Sequence, residues 1–218
     1  MLRVGSKRDQ GYSNAVRRDV LRLVPPEVRT VLSVGCAAGA TERALRDSGR
    51  RVIGVEMDAA WAEEARAHMD EVIVGDVESL DLPLPEGSVD CILYADVLEH
   101  LRRPERVLQR HRQLLRAGGF IVLSVPNMRF WEVVFDLLIR GDWQYTEAGV
   151  LDATNLRVFT PRSTVRMVRA SGFEVVEVAH RYRFFERTQR YTRLARMLAH
   201  GPLRDFFTLQ FLVLARKR

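Results

Sequence analysis

Three side chains able to move a proton or hold a cation fall together in the segment Asp96, Val97, Leu98, Glu99, His100. Spacings of three and four residues bring Asp96, Glu99 and His100 within reach of one point if the segment turns as a helix. A histidine among carboxylates suits removal of a proton from a hydroxyl, and the same three groups suit a divalent cation such as Mg2+. A third use involves no chemistry, with Glu99 and His100 bracing the loop after a strand. Residue types alone leave all three open.

A second constellation combines small residues with acids. Gly35, Cys36, Ala37, Ala38 and Gly39 follow the apolar run TVLSV, and such residues let backbone come close to a ligand. Glu56 closes the next apolar run, roughly 20 residues further on, where a carboxylate can accept both hydrogen bonds of a ribose diol. Asp76 closes a third run, EVIVGD, where it can meet the exocyclic amine of an adenine. Either acid alone reads equally well as a solvated cap. Two at successive strand ends, after a small-residue loop, point to a nucleoside.

The elements that must position these groups follow from periodicity. Residues 13–24 carry apolar positions at helical spacing, with Ser13 as cap and Pro25 and Pro26 as stop. TVLSVG, RVIGVE, EVIVGD, VDCILYA and FIVLSVPN read as five strands, alternating with helices over TERALRDSG, AAWAEEARAHM and PERVLQRHRQLLRAGG. Near-continuous apolar strands need cover on both faces, so the alternation implies a doubly wound, mostly parallel α/β sheet. Thr160 and Pro161 start a further helix that closes at Gly172, and FEVVEVA and FFTLQFLVLAR read as a final antiparallel pair, making seven strands. Residues 127–160 interrupt the pattern with an aromatic insertion in which FWEVVFDLLIR has the spacing of an amphipathic helix.

A chain of 218 residues, 47% hydrophobic and 28% charged, is long enough for one substantial core and short for two, so a single domain over 1–218 is expected, with an N-terminal helical segment at 1–27. Its start resembles no signal peptide and no apolar run reaches the roughly 18 residues of a membrane span, so a cytoplasmic protein is expected. Cys36 and Cys91 form no CxxC pair and are expected to be reduced packing residues. The net charge of +6 is almost wholly arginine, since Lys7 and Lys217 are the only lysines. Arginine bias follows genome base composition as readily as it follows a polyanionic partner, so a nucleic-acid partner is not inferred from charge.

The blocks VLSVGCAAG, VIGVEMD, VGDVESLDLPLPEGSVDCILYADVLEHL and LLRAGGFIVLSVPN, in this order and spacing, resemble the successive motifs of the class I S-adenosylmethionine-dependent methyltransferases, across roughly residues 28–178. The resemblance implies a Rossmann-like fold, S-adenosylmethionine as cofactor, and methyl transfer to the hydroxyl of a small molecule or saccharide. It places the cofactor's methionine part along Gly35, Cys36, Ala37 and Gly39, its ribose at Glu56 and Met57, and its adenine at Asp76 and Val77, with Ala95 and Tyr12 as further contacts. Tyr12 reads equally well as a staple for the first helix. In-line transfer from a sulfonium needs chiefly alignment, with a base or a Lewis-acidic cation to deal with a hydroxyl proton.

Asp96, Glu99 and His100 resemble the metal-binding segment of quinone and small-RNA 2'-O-methyltransferases, which makes Mg2+ an alternative cofactor. His100 and Asp152 are the expected catalytic pair. LDATNLRVFT resembles the DxTHxRxFT segment of methyltransferases encoded with glycan enzymes, with Asn155 at the histidine's place. There Asp152, Thr154 and Arg157 would face the acceptor, or Asp152 and Arg157 would simply pair.

The chain departs from the family at three positions. Ser33 replaces the acid that precedes the loop, Ala37 replaces a glycine and is expected to keep a negative φ, and Asn155 cannot act as a base. Two rival readings stand beside the enzyme: an RNA 2'-O-methyltransferase, and a binding protein that has lost catalysis. Trp131, Trp143 and Tyr145 could stack on an acceptor or form the insertion's own small core. Residues 181–196 interleave arginine with aromatics, which suits a phosphate-bearing partner or a membrane surface, although a solvated helix face is the commoner origin of such a pattern.

Overall fold

The computed structural model describes residues 16–182 and 203–218. Among them seven strands form one sheet: β1 (Thr30–Val34), β2 (Arg51–Glu56), β3 (Glu71–Val74), β4 (Val89–Ala95), β5 (Leu115–Pro126), β6 (Phe173–Tyr182) and β7 (Thr208–Lys217). Their order across the sheet is β3-β2-β1-β4-β5-β7-β6. The five strands β3 to β5 of that order run parallel, and β7 inserts antiparallel between β5 and β6. Strand order reverses between β1 and β4, so the loops after these strands flank an opening at the sheet's carboxyl edge.

The central strands β1, β2, β4 and β5 lie between two apolar layers because they are apolar on both faces. Leu32 and Ile92 point into one layer with Val107, Leu108 and Val168; Val31 and Leu93 point into the other with Leu45, Ala62 and Ala65. These layers hold α4 (Pro104–His111) and α6 (Pro161–Ala170) on one side. On the other lie α1 (Arg18–Leu21), α2 (Ala40–Asp47) and α3 (Ala59–Ala65). Asp58 caps α3 by accepting from the amides of Ala60 and Trp61. Thr160 and Ser163 cap α6 reciprocally, as the Thr-Pro start predicts.

Three expectations about elements are corrected. The helix expected over PERVLQRHRQLLRAGG ends at His111, because Leu115 pairs with Val89 and the chain bulges before Phe120 pairs with Cys91. The helix expected over FWEVVFDLLIR splits into α5 (Trp131–Phe135) and a wider π-turn at Asp136–Arg140. Leu138 and Ile139 of that turn are 73% and 70% exposed. Of the helix expected from residue 13, the described part is Arg18–Leu21; its proposed cap Ser13 lies outside the described residues.

The insertion is tied down at both ends. Asn127, fully buried, donates to the carbonyls of Asp205 and Thr208, and the Met128 amide bonds to the Phe159 carbonyl. A short α7 (Arg204–Phe207) leads into β7. Among the described residues no helix is long and apolar enough to cross a membrane.

Candidate active site

A cavity of about 400 Å³ opens at the carboxyl ends of β1 to β4, where the strand order reverses. Its walls include Gly35, Glu56, Met57, Asp76 and Val77 of the expected nucleoside site, together with Asp96 and His100. Sequence reasoning missed Val97, Leu101, Arg102 and Leu156, which also line it. Val97 and Leu101 carry no chemical signal in sequence, Arg102 is one of many arginines, and Leu156 arrives from the insertion.

The small-residue loop is shaped by contacts that only the fold supplies. Gly35 has φ +67°, and a Cβ there would meet the Val97 side chain at 2.6 Å, so a side chain would close the cavity. The Glu56 carboxylate accepts from the amides of Ala37 at 2.9 Å and Asp58 at 3.0 Å, which holds the loop over the end of β2. Each carboxylate oxygen retains capacity for a further donor such as a ribose hydroxyl. Asp76, which lines the cavity, accepts from the Glu78 amide at 2.8 Å.

Not every expected contact faces this cavity. Cys36 is buried in the core layer under the loop, where desolvation holds its thiol protonated. Both cysteines are buried and free. Gly39 precedes α2 at φ +82°, where a Cβ would meet His68, Met69 and Ala65. Ala37 adopts φ +47°, correcting the expectation of a negative φ: the turn demands left-handed backbone, and alanine bears the strain. Ala95 packs against the core, and Tyr12 lies outside the described residues.

Glu99 and His100 lie in a single 3-10 turn at Leu98–His100, with Asp96 just before it, yet the three do not converge as ligands. Asp96 sits at φ +57° with its carboxylate bound to Arg17, to the Ser124 hydroxyl at 2.6 Å and to Gln210 at 3.0 Å. Glu99 turns into the interior, where desolvation and the nearby Asp96 charge raise its pKa well above the carboxylate range. Among the described residues no group of three or more His, Cys, Asp or Glu side chains is arranged to hold a metal, which corrects the Mg2+ reading. Asn155 donates to the Val150 carbonyl while its own oxygen stays buried and unpaired.

The insertion reaches the cavity through Glu99 and His100. The Glu99 carbonyl accepts from the amides of Leu156 and Arg157, at 2.8 and 2.9 Å. His100 Nδ1 lies 3.2 Å from the Thr154 carbonyl and 3.2 Å from the Thr154 hydroxyl, and that hydroxyl donates to Asp152 at 2.6 Å. A carbonyl has no proton to give, so Nδ1 carries the hydrogen and Nε2 carries the lone pair. The expected pair His100 and Asp152 is therefore joined, through a threonine. Arg157 does not pair with Asp152; it donates to the Arg102 carbonyl.

Trp131 packs against Phe130, while Trp143 and Tyr145 meet edge to face at 6.3 Å with 38% and 65% of their surface exposed. The stretch of alternating arginines and aromatics lies outside the described residues beyond Tyr182.

Comparison with known proteins agrees with this geometry. A methyltransferase domain model matches residues 8–178. A probable S-adenosylmethionine-dependent methyltransferase of Mycolicibacterium smegmatis is 35% identical over 99 residues, covering 45% of this chain and 38% of the relative. A ubiquinone biosynthesis O-methyltransferase of Paracidovorax citrulli is 24% identical over 175 residues, 73% of each chain. The chain thus spans well under half the length of the mycobacterial relative. The crystal structure of an S-adenosylmethionine-dependent methyltransferase from Archaeoglobus fulgidus superposes with a TM-score of 0.67 at 18% identity, covering 95% of this chain and 94% of that one, and so shares the fold. Because the family model runs through all four strands whose ends open onto the cavity, this chain belongs to the class I S-adenosylmethionine-dependent methyltransferases.

Proposed function

We propose that this protein transfers a methyl group to a hydroxyl of a small molecule or saccharide, with His100 as general base. The observation that carries the reading is the hydrogen bond from His100 Nδ1 to the Thr154 carbonyl, which presents the imidazole as an acceptor at the wall of the cofactor cavity. When bound, S-adenosylmethionine supplies an electrophilic methyl on a sulfonium. Gly35, Glu56 and Asp76 fit that group, since the loop leaves room for backbone contact and the two acids suit a ribose diol and an adenine amine.

His100 Nε2 takes the acceptor's proton as the oxygen becomes a nucleophile. Asp152, through the Thr154 hydroxyl, keeps the ring oriented and favours the charged imidazole that results. Hydroxyl chemistry is also the chemistry named for the Paracidovorax citrulli relative. The insertion supports a hydroxyl-rich acceptor: it encloses a second hollow of about 430 Å³ walled by Glu132, Asp136, Asp142 and Gln144. Carboxylates and amides of this kind pair with hydroxyls, and the exposed Trp143 and Tyr145 offer stacking faces.

The test is a panel of phenols, catechols and saccharides incubated with methyl-labelled S-adenosylmethionine, with RNA as a comparison arm. Label recovered as a methyl ether of a small acceptor supports the reading. Label on RNA or on nitrogen acceptors alone defeats it.

A further inference from the structure

Ser33 stands where the family carries an acid, and the structure contains a carboxylate that the motif comparison does not anticipate. Glu42, on the first turn of α2, is 4% exposed and reaches back beneath the loop, where the Ser33 hydroxyl donates to it at 2.6 Å. Its neighbour Thr41 accepts from the Arg17 amide, so the same turn anchors the segment that precedes α1. Strand and helix together thus bring a buried carboxylate to Ser33, two residues before Gly35 of the cavity wall and within electrostatic range of Glu56.

Among the described residues no arginine, lysine or histidine is bonded to Glu42. From β2 it faces Glu56, and from the loop the protonated Cys36. Arg17, the nearest arginine of the α1 segment, is bound to Asp19 and Asp96. On its own helix Arg43 and Arg46 point outward to Asp47 and Asp70. His68 lies against Gly39 at the far side of the loop. Burial beside a second carboxylate favours the neutral acid, and Glu42 is pushed up to about 7. An incoming cation reverses that preference.

We propose that Glu42 is the carboxylate that answers the cofactor's positive charge in this chain, in place of the residue at position 33, and that it releases a proton to solvent as the cofactor binds. This inference rests on the cofactor site and is independent of the acceptor proposed above.

The test is calorimetric titration with S-adenosylmethionine at pH 7 in phosphate and in Tris, whose different ionisation heats count protons released. The cofactor's own amino group titrates in any variant, so the difference between wild type and Glu42→Gln isolates the glutamate. Half-ionised before binding, Glu42 is expected to release about half a proton more in wild type than in the variant. Wild-type affinity is expected to rise by up to about tenfold per pH unit below 7 and to level above it. S-adenosylhomocysteine, which lacks the sulfonium charge, is expected to release less, and His68→Gln to leave the release unchanged.

Equal proton release in wild type and Glu42→Gln overturns the proposal, as does a release that vanishes in His68→Gln. Should Glu42→Gln fail to fold, Ser33→Ala serves instead: losing the hydroxyl donor is expected to move the midpoint of the affinity curve to higher pH, and an unmoved midpoint overturns the proposal. A chain that binds cofactor with this signature yet methylates no hydroxyl leaves the proton linkage standing and defeats only the acceptor reading.

Discussion

His100 Nδ1 lies 3.2 Å from the carbonyl oxygen of Thr154, 54 residues further along the chain, so the insertion sets the tautomer of a histidine that belongs to the end of β4. Replacing His100 with alanine is expected to lower kcat by about 10²- to 10⁴-fold while cofactor affinity holds. Thr154→Val removes the hydroxyl link to Asp152 but keeps the carbonyl, and a smaller loss of about tenfold is expected. Single-turnover kinetics beside cofactor titration separate the two effects.

Glu56 has a double task, holding the Ala37 and Asp58 amides and facing the cavity. Glutamine keeps one acceptor oxygen where the carboxylate has two, so Glu56→Gln must give up one of those loop bonds. Cofactor Kd is expected to rise at least tenfold, about 1.4 kcal/mol, when measured by calorimetry.

Ala37 holds left-handed backbone at φ +47°, a conformation that costs an alanine about 1 kcal/mol or more. Ala37→Gly is therefore expected to stabilise the protein by about 1 kcal/mol. For a chain of this length that is a rise of about 2–4 °C in Tm by scanning calorimetry. An unchanged Tm would mean that the loop's strain is relieved elsewhere.

Arg17 joins the carboxylate of Asp96, whose side chain is 8% exposed. Arg17→Met removes a cationic partner from this buried carboxylate, and a loss of about 3 kcal/mol is expected in urea unfolding. Asp96→Asn in the Arg17→Met background removes that charge and is expected to recover part of the loss.

The buried imidazole of His111 shares a hydrogen bond with the Tyr94 hydroxyl at 2.9 Å, and desolvation lowers its pKa to about 4. The unfolded chain, with an ordinary histidine near 6.5, binds the proton more readily, so stability is full above 6.5 and is lost as pH falls toward 4. The loss approaches about 1.4 kcal/mol per pH unit within that window. Urea midpoints between pH 7 and pH 4 measure it. The paired change Tyr94→Phe with His111→Leu is expected to flatten that share of the slope.

Periodicity and small-residue chemistry determined the architecture and the nucleoside end of the site. Apolar runs ending in Gly35, Glu56 and Asp76 lead to a parallel sheet whose loops must gather at one edge, because strand alternation and right-handed crossovers leave few other arrangements. The end of α4 was not legible, since the pairing of Leu115 with Val89 overrides the helical preference of the residues before it. The outward turn of Leu138 and Ile139 was hidden too, because their spacing alone cannot report a π-turn.

The chemical end of the site was decided by tertiary structure. Asp96, Glu99 and His100 look alike as proton carriers in sequence, yet one is bound to an arginine, one is buried as an acid and one meets Thr154 of the insertion. Only the partners at Arg17, Ser124, Gln210 and Thr154, all distant in the chain, distinguish them. Ser33 looked like a lost acid until α2 brought Glu42 to it across nine residues. Spacing reports which groups can be neighbours along one element. What each group does depends on its solvation and its partners, and those are set by the packing of one element on another.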